Sequence, residues 1–464
     1  MGYKVNQKIN VIVIVSLIQA LPTMAFINFQ LDTSPHRSQL YTSSSDEYAI
    51  AILGDLHIDP TNMDDYHIGR THFESIFNSS FSCNNGRTPG ASAVTISLGD
   101  LGLNKYCNHN PSNTDELYAG TTQCHKLASN YLSSFYNNIP YEVVLGNHDL
   151  EGLHEFKTDA DNLDMVLNIH NKPTPQFYRE IANKTLLVGL SSISFRSAKY
   201  ISHEVVIDQV QIDWFENLLQ QHSAKDGWRV IVFSHAPIIG SGLNVLQENQ
   251  VVDGCCWLNH NDDKSRNVFI DLVREHSCIK AWFSGHFHLC HDYQDSIKVS
   301  YKMDSSSIFI MLNFSSLMLL YTQLPDVNGK RGQCTFIQTS VMSSRATRDD
   351  HQQSRLLRGN QNGFDIYTVD HQKNGEVRVD ATVRYEGDTV VTDYVNDGEK
   401  EMYEYQKYRK IVKYHIPSNG DAHMKSFNDK GIIERKLCSS VYLVCIPPFL
   451  YSNISNLVHS VISI

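Results

Sequence analysis

The 464-residue sequence lacks an excess of basic residues, cysteine pairs with C-x-x-C spacing and the long hydrophobic segments of a polytopic membrane protein. It contains 39 lysine and arginine residues against 50 aspartate and glutamate residues, whereas a general nucleic-acid-binding protein needs a basic surface. The ten cysteines form no C-x-x-C pair, so they predict buried thiols or a few disulfides rather than a structural zinc site. With 41% hydrophobic and 19% charged residues, the composition is that of a globular protein.

The N-terminal segment has the features of an export signal. Lys4 and Lys8 are followed by an apolar stretch over residues 9–21, which Pro22 ends, and small side chains permit cleavage after Ala25. The stretch is too short to span a membrane comfortably, so we expect no stable transmembrane anchor. The segment predicts entry into the secretory pathway or an extracellular location, and a buried N-terminal strand or helix is the alternative.

The chain divides into four predicted regions. Residues 1–25 are the signal peptide. Residues 26–46 are a linker or, because they are serine-rich and poor in acidic residues, the second part of a bipartite presequence that would direct the protein to a plastid. Residues 47–400 form the main domain, in which the aperiodic segment 296–331 is interpreted as an insertion. Residues 401–464 form a C-terminal extension.

From residue 47 the sequence alternates between short apolar runs and amphipathic helical patterns, which is typical of an α/β protein. Six runs predict strands that are buried on both faces: Tyr48–Leu53, Ala93–Leu98, Tyr141–Leu145, Thr185–Leu190, Arg229–Phe233 and Ile279–Phe283. Helices are predicted at Asp208–Gln221 and Lys264–His276. Further strands are predicted at Thr335–Val341, Phe364–Val369 and Val377–Val383.

Five of the six early strands are followed directly by residues that can bind a metal ion. Because ligands bind outside the carboxyl ends of the strands in an open α/β sheet, the five loops would bring these residues to one rim. Glycine precedes the polar residue in four of the loops and allows a sharp turn there. The five segments are Gly54-Asp55-Leu56-His57, Gly99-Asp100, Gly146-Asn147-His148-Asp149, Ser234-His235 and Gly285-His286-Phe287-His288.

The spacing within these segments has a chemical reason. Residues i and i+2 of an extended chain point the same way, so Asp-x-His and His-x-His can bind one ion or two adjacent ions. Mixed aspartate, histidine and asparagine ligands suit Mn, Fe, Zn or a similar divalent ion better than calcium. A carboxylate such as Asp100 can bridge two ions about 3.5–4 Å apart, as two-metal phosphoryl chemistry requires.

Taken together, the five segments resemble the signature of the calcineurin-like metallophosphoesterases. The resemblance covers residues 55–288 and implies that residues 47–400 form a calcineurin-like phosphoesterase domain, an α/β protein with a four-layer α/β/β/α sandwich. It also implies two divalent metal ions. One ion would be bound by Asp55, His57, Asp100 and His288, and the other by Asp100, Asn147, His235 and His286.

The resemblance implies a metal-dependent hydrolase that cleaves a small phosphoester substrate by attack of a metal-bridging hydroxide. His148 would contact the phosphoryl oxygens or the leaving group without binding metal, and Asp149 would orient it. Asp100 is followed by Leu101-Gly102-Leu103-Asn104, which lacks the arginine of the Ser/Thr protein phosphatases and the tyrosine ligand of the purple acid phosphatases. Cleavage of monoesters and cleavage of diesters both stay open.

Two other classes of protein fit parts of the pattern. A non-catalytic scaffold or interaction module of the same fold would be expected to lack some ligands, whereas every metal position is filled here. A histidine-rich storage protein would have clustered histidines in loops, whereas these histidines follow strands.

Four arginines after the strand at Thr335–Val341 are interpreted as a solvated loop, with substrate contact at the metal rim as the alternative: Arg345, Arg348, Arg355 and Arg358.

Overall fold

A computed structural model describes most of the predicted main domain. The described residues are 47–59, 63–78, 93–102, 121–135, 139–153, 155–197, 204–243, 257–293, 296–299 and 331–395, and all of them belong to the unit Tyr41–Ile464. The predicted signal peptide, the linker, most of the predicted insertion and the C-terminal extension lie outside these residues.

In the described part of the chain, the first sheet contains eight strands. They are β1 (Tyr48–Leu53), β2 (Ala93–Ser97), β3 (Tyr141–Val143), β9 (Arg331–Gly332), β11 (Gln353–Asn360), β12 (Gly363–Asp370), β13 (Glu376–Glu386) and β14 (Thr389–Tyr394). Their order is β3-β2-β1-β11-β12-β13-β14-β9. The pairs β1–β2 and β2–β3 are parallel, whereas β1 pairs with β11 in the antiparallel sense. The parallel strands therefore end at one edge, where Asp55, Asp100 and Asn147 follow.

The second sheet contains six strands within the residues that the structure describes. They are β4 (Phe177–Ala182), β5 (Thr185–Leu190), β6 (Arg229–Ser234), β7 (Ile279–Ser284), β8 (Ile297–Val299) and β10 (Thr335–Gln338). Their order is β4-β5-β6-β7-β10-β8, and β5, β6, β7 and β10 are parallel neighbours. His235 follows β6 and His286 follows β7, so this sheet delivers the remaining predicted ligands at the carboxyl ends of its central strands.

Among the described residues, five α-helices connect these strands: α1 (Asp64–Asn78), α2 (Thr121–Ser133), α3 (Asp159–His170), α4 (Gln209–Gln221) and α5 (Val268–Glu275). Side-chain caps fix two of the helix starts. Thr158 accepts a hydrogen bond from the backbone N–H of Asp161 at α3, and Asp208 accepts one from Gln211 at α4. Within the part of the chain that the structure describes, no helix is both long and apolar enough to cross a membrane.

The core is divided by the alternation of side chains along the strands. On β1, Ala51 faces a cluster that includes Phe73 of α1, while Ile52 faces a cluster shared with Phe233 of the second sheet. A third cluster places Phe215 of α4 and other residues of α4 and α5 on the opposite face of the second sheet. The sheets thus bury apolar side chains against each other and against the helices.

The predicted α/β class is confirmed, and all six early strands lie within two residues of their predicted bounds. The interpretation of the four arginines as one solvated loop is wrong for Arg355 and Arg358, which lie in β11. Arg355 is fully buried and forms an ion pair with Asp380 of β13. Its guanidinium also donates to the Gln338 carbonyl oxygen, so a fully compensated cation is accommodated inside the fold.

Candidate metal centre

The seven predicted ligands converge at the carboxyl ends of β1, β2, β3, β6 and β7. All seven are buried, with at most 8% of each residue exposed: Asp55, His57, Asp100, Asn147, His235, His286 and His288. Buried acids and imidazoles cost free energy unless they are paired or bind an ion. The carboxylates of this cluster lie within ion-pair distance of its imidazoles, and a bound cation could take the place of the protons on those imidazoles.

Four of these residues have an unusual backbone conformation. The φ angles of His57, Asp100, His286 and His288 are 40°, 48°, 75° and 56°. Positive φ is uncommon for residues other than glycine, and such strain occurs preferentially at functional sites. The loops are therefore shaped to direct these side chains into the cluster.

The placement of glycine within the motifs has a steric reason at two positions. A Cβ atom on Gly285 would lie 2.4 Å from Oδ2 of Asp55, and one on Gly146 would lie 2.3 Å from Oδ1 of Asp100. Neither position accommodates a side chain without moving a carboxylate of the cluster. The glycines allow the backbone to pass directly beside the two acids.

The first group of donors contains Asp55, His57, Asp100 and His288, as predicted for one ion. Nε2 of His57 lies 3.1 Å from Nε2 of His288 and 3.6 Å from Oδ2 of Asp100. Oδ1 of Asp55 lies 3.2 Å from Nε2 of His288. These donor atoms surround one small volume.

The second group contains Asp55, Asp100, His235 and His286. Nε2 of His235 lies 3.2 Å from Oδ2 of Asp100 and 3.0 Å from Nδ1 of His286. Oδ1 of Asn147 lies 2.9 Å from the same nitrogen of His235, so the amide adjoins this group as predicted. Asp55, which the family resemblance places on the first ion alone, belongs to both groups, and Asp100 is likewise shared.

The donor set fits divalent cations. Nδ1 of His235 lies 2.7 Å from the Leu98 carbonyl oxygen, and Nδ1 of His288 lies 2.7 Å from that of Ala346. A neutral ring that donates through Nδ1 directs the lone pair of Nε2 into the cluster, which is the usual arrangement of metal-binding histidines. Oδ1 of Asp55 is buried there and lacks a hydrogen-bond partner among the described residues.

The electrostatics of the cluster favour positive charge. Burial lowers the pKa of His235, but the carboxylates of Asp100 and Asp55 outweigh it and raise this pKa to about 10. Burial raises the pKa of Asp55, but the neighbouring His288 and His235 lower it to about 2. The same negative field that attracts a proton to His235 attracts a cation.

His148 lies beside the donors, with 35% of its side chain exposed. Its backbone N–H donates to Oδ1 of Asp100 at 2.9 Å, and its ring centroid is 5.8 Å from that of His57. Nδ1 of His148 lies 2.5 Å from Oε1 of Glu151. Partial burial lowers the pKa of His148, but the carboxylates of Glu151 and Asp100 outweigh it and raise the pKa to about 9.

The structure gives Asp149 a different contact from the predicted one with His148. Its carboxylate accepts hydrogen bonds from the backbone N–H groups of Asp100, Leu101 and Gly146, at 2.7–2.8 Å. Asp149 thus connects the loop after β2 to the loop after β3. Glu151, and not Asp149, contacts the ring of His148. Sequence reasoning missed Glu151 because it lies beyond the four-residue motif.

Three solved structures resemble this chain at low sequence identity. A dimetal phosphatase from Danio rerio shares 11% identity over 72% of this chain and 98% of its own, with a TM-score of 0.43. PhoD shares 9% identity over 77% of this chain and 73% of its own, with a TM-score of 0.45. GAP50, the anchor in the inner membrane complex of Plasmodium, shares 13% identity over 72% of this chain and 88% of its own, with a TM-score of 0.38.

No curated protein matches the sequence. The family model described as calcineurin-like phosphoesterase matches residues 48–290, which is more than half of the 464 residues. The matched range contains the five ligand loops that form the cluster. The chain belongs to the calcineurin-like phosphoesterase family.

Proposed function

We propose that this protein is a phosphoester hydrolase that requires two divalent cations. The observation that carries the proposal is the pair of buried donor groups that share Asp55 and Asp100. Two shared carboxylates place two ions side by side, which is the arrangement that two-metal phosphoryl transfer requires. Manganese, iron, zinc or a similar ion suits the mixed oxygen and nitrogen donors.

Each part of the cluster has a role in this proposal. His57 and His288 would hold one ion, while His235, His286 and Asn147 would hold the other. When bound, the two cations would lower the pKa of a water molecule and neutralise charge on the phosphoryl oxygens. The oxygen of a water molecule bonds to phosphorus as the P–O bond to the leaving group breaks. The leaving-group oxygen then takes up a proton.

His148 is proposed to supply this proton. It lies at the edge of the cluster and is partly exposed, so a substrate can reach it. The neighbouring acids favour its protonated form, and a positioned proton donor contributes about 10²–10⁴ in rate. Glu151 is proposed to hold the ring, because its carboxylate contacts Nδ1 of His148.

The alternative of a non-catalytic scaffold receives no support from the ligand set. A scaffold does not need buried donors, and every position of the two groups is filled by a metal-binding side chain. We further propose a secreted or secretory-pathway enzyme that acts on a small phosphoester. Cys124 is disulfide-bonded, which is typical of oxidising compartments.

The test is a metal analysis of the purified protein combined with a panel of phosphomonoesters and phosphodiesters. We expect about two divalent ions per chain, inactivation by a chelator and recovery with Mn²⁺. Asp100→Asn should lose at least half of the metal and all hydrolysis, whereas Asp213→Asn, at an exposed position of α4, should change neither. Full activity of the metal-free protein, or full activity and metal content in Asp100→Asn, would contradict the proposal.

A further inference from the structure

The described residues contain a third group of metal donors, which comprises Cys290, Asp292 and His351. One donor atom from each lies within 4.8 Å of the other two, and the group shares no residue with the two groups of the candidate metal centre. Cys290 follows His288 by two residues, whereas His351 lies shortly before β11. The spacing of the cysteines does not predict this group, because it combines a single cysteine with a histidine from a distant segment.

Asp349 brings the two segments together. Its carboxylate accepts hydrogen bonds from the backbone N–H of Cys290 at 2.7 Å and from that of His351 at 3.3 Å. The hydroxyl of Thr347 donates to the same carboxylate at 2.9 Å. Asp349 therefore fixes the backbone beside two of the three donors.

Asp292 is held by neighbouring polar groups. Its Oδ1 forms an ion pair with Arg378 of β13, which is also paired with Asp380. Its Oδ2 accepts a hydrogen bond from Nε2 of Gln353 at 3.2 Å and lies 4.0 Å from Nδ1 of His351. Oδ2 is thus directed towards the histidine, and carboxylates that bind metal are usually hydrogen-bonded in this way.

The exposure of the three side chains suits an ion that enters from solvent. Cys290 is 1% exposed, whereas 44% of the His351 side chain and 35% of the Asp292 side chain are exposed. Ligands of a tetrahedral zinc ion lie about 3.3–3.8 Å apart, since the bonds are about 2.0–2.3 Å long. The partly exposed histidine therefore completes the group by a movement of about 1 Å, and water supplies the fourth ligand.

We propose that Cys290, Asp292 and His351 bind a zinc ion that is separate from the two ions of the proposed hydrolase. Thiolate and imidazole suit zinc better than manganese, and the two donor groups of the candidate metal centre contain no cysteine. The thiol loses its proton to solvent as the bond between sulfur and zinc forms. The ion connects the segment after β7 to the start of β11, and the inference does not depend on hydrolysis.

Cadmium is the probe for this site, because it replaces zinc and its bond to a thiolate absorbs in the ultraviolet. Titration of the metal-free protein with Cd²⁺ should give a thiolate absorption that Zn²⁺ abolishes and Mn²⁺ leaves unchanged. Cys290→Ser should lose one equivalent of this absorption. His351→Gln should weaken cadmium binding by about 10–100-fold.

Cys278→Ser is the matched control, because Cys278 is also a free and buried cysteine. It should titrate like the wild type. Identical titrations of the wild type and Cys290→Ser would overturn the assignment. If Cys290→Ser does not fold, His351→Gln decides, since its side chain is partly exposed, and an unchanged cadmium affinity in that variant would also overturn the assignment.

Discussion

Glu151 is the residue on which the proposed proton transfer depends most after His148. Its Oε1 lies 2.5 Å from Nδ1 of the imidazole, and Glu151 is itself 7% exposed, so the ring is held from a fixed position. We expect Glu151→Gln to lower kcat about tenfold for an alkyl phosphate while metal content stays unchanged. The loss should be smaller for p-nitrophenyl phosphate, whose leaving group needs little protonation.

Steady-state kinetics with the two substrates and metal analysis by mass spectrometry test this prediction. Glu155→Gln is the control, since Glu155 is exposed and accepts hydrogen bonds from Thr122. An equal loss for both substrates would mean that Glu151 only supports the loop. A loss of metal in Glu151→Gln would indicate that Glu151 itself binds a metal ion.

At the residue scale, the convergence of the candidate metal ligands is predictable, whereas the residues that position them are not. Asp100 and His235 follow recognisable strands, so their convergence follows from sheet geometry alone. The contact between Glu151 and His148 and the contacts of Asp149 depend on how the loop closes, which strand patterns do not encode. Asp55 belongs to both donor groups because its carboxylate lies close to the side chains of each. Strand patterns do not encode these distances either.

Gly285, in the loop after β7, affects the candidate metal centre although it offers no ligand. A Cβ on Gly285 would meet Oδ2 of Asp55 at 2.4 Å, so Gly285→Ala must displace either the carboxylate or the loop. We expect metal affinity to fall about 10–100-fold, the usual effect of disturbing a group that supports a ligand. Competition with a coloured chelator measures this affinity.

Gly387→Ala provides the comparison for this variant. Gly387 has a φ of +60°, and a Cβ added there would have no atom within 4 Å, so alanine adds backbone strain without a clash. It should lower the melting temperature but leave metal affinity unchanged. If Gly285→Ala binds metal like the wild type, the glycine is not required for ligand placement.

At the scale of elements, predictability follows the burial pattern. Strands such as β1 are buried along their whole length and read as apolar runs in the sequence. β11 begins with Gln353, Ser354 and Arg355, all buried, and such a polar start predicts a loop instead of a strand. These side chains are satisfied by distant residues, for example Arg355 by Asp380, and a local pattern carries no information about such partners.

For the whole molecule, the predicted export signal determines what the mature chain contains. If residues 1–25 are removed, the mature protein begins at Phe26. N-terminal sequencing of protein from the native host should find this start. A chain that begins at Met1 or Gly2 would reject the signal peptide, and a start well beyond Ser45 would support a plastid presequence instead.

Global stability should decrease in acid because of a buried histidine that is not among the candidate metal ligands. His371 is 7% exposed, its Nδ1 lies 3.1 Å from Nδ1 of His72, and burial together with His72 lowers the pKa of His371 to about 3. In the unfolded chain this pKa is about 6.5, so between these values the unfolded state binds one more proton than the folded state. The free energy of unfolding should therefore decrease as pH falls through this window, by up to about 1.4 kcal/mol per pH unit from this group.

Urea unfolding at pH 4, 5 and 6 tests this prediction. The free energy of unfolding should depend less steeply on pH in His371→Gln than in the wild type. His67→Gln, at an exposed position of α1, should follow the wild type. Identical slopes for wild type and His371→Gln would show that His371 does not resist protonation in the folded protein.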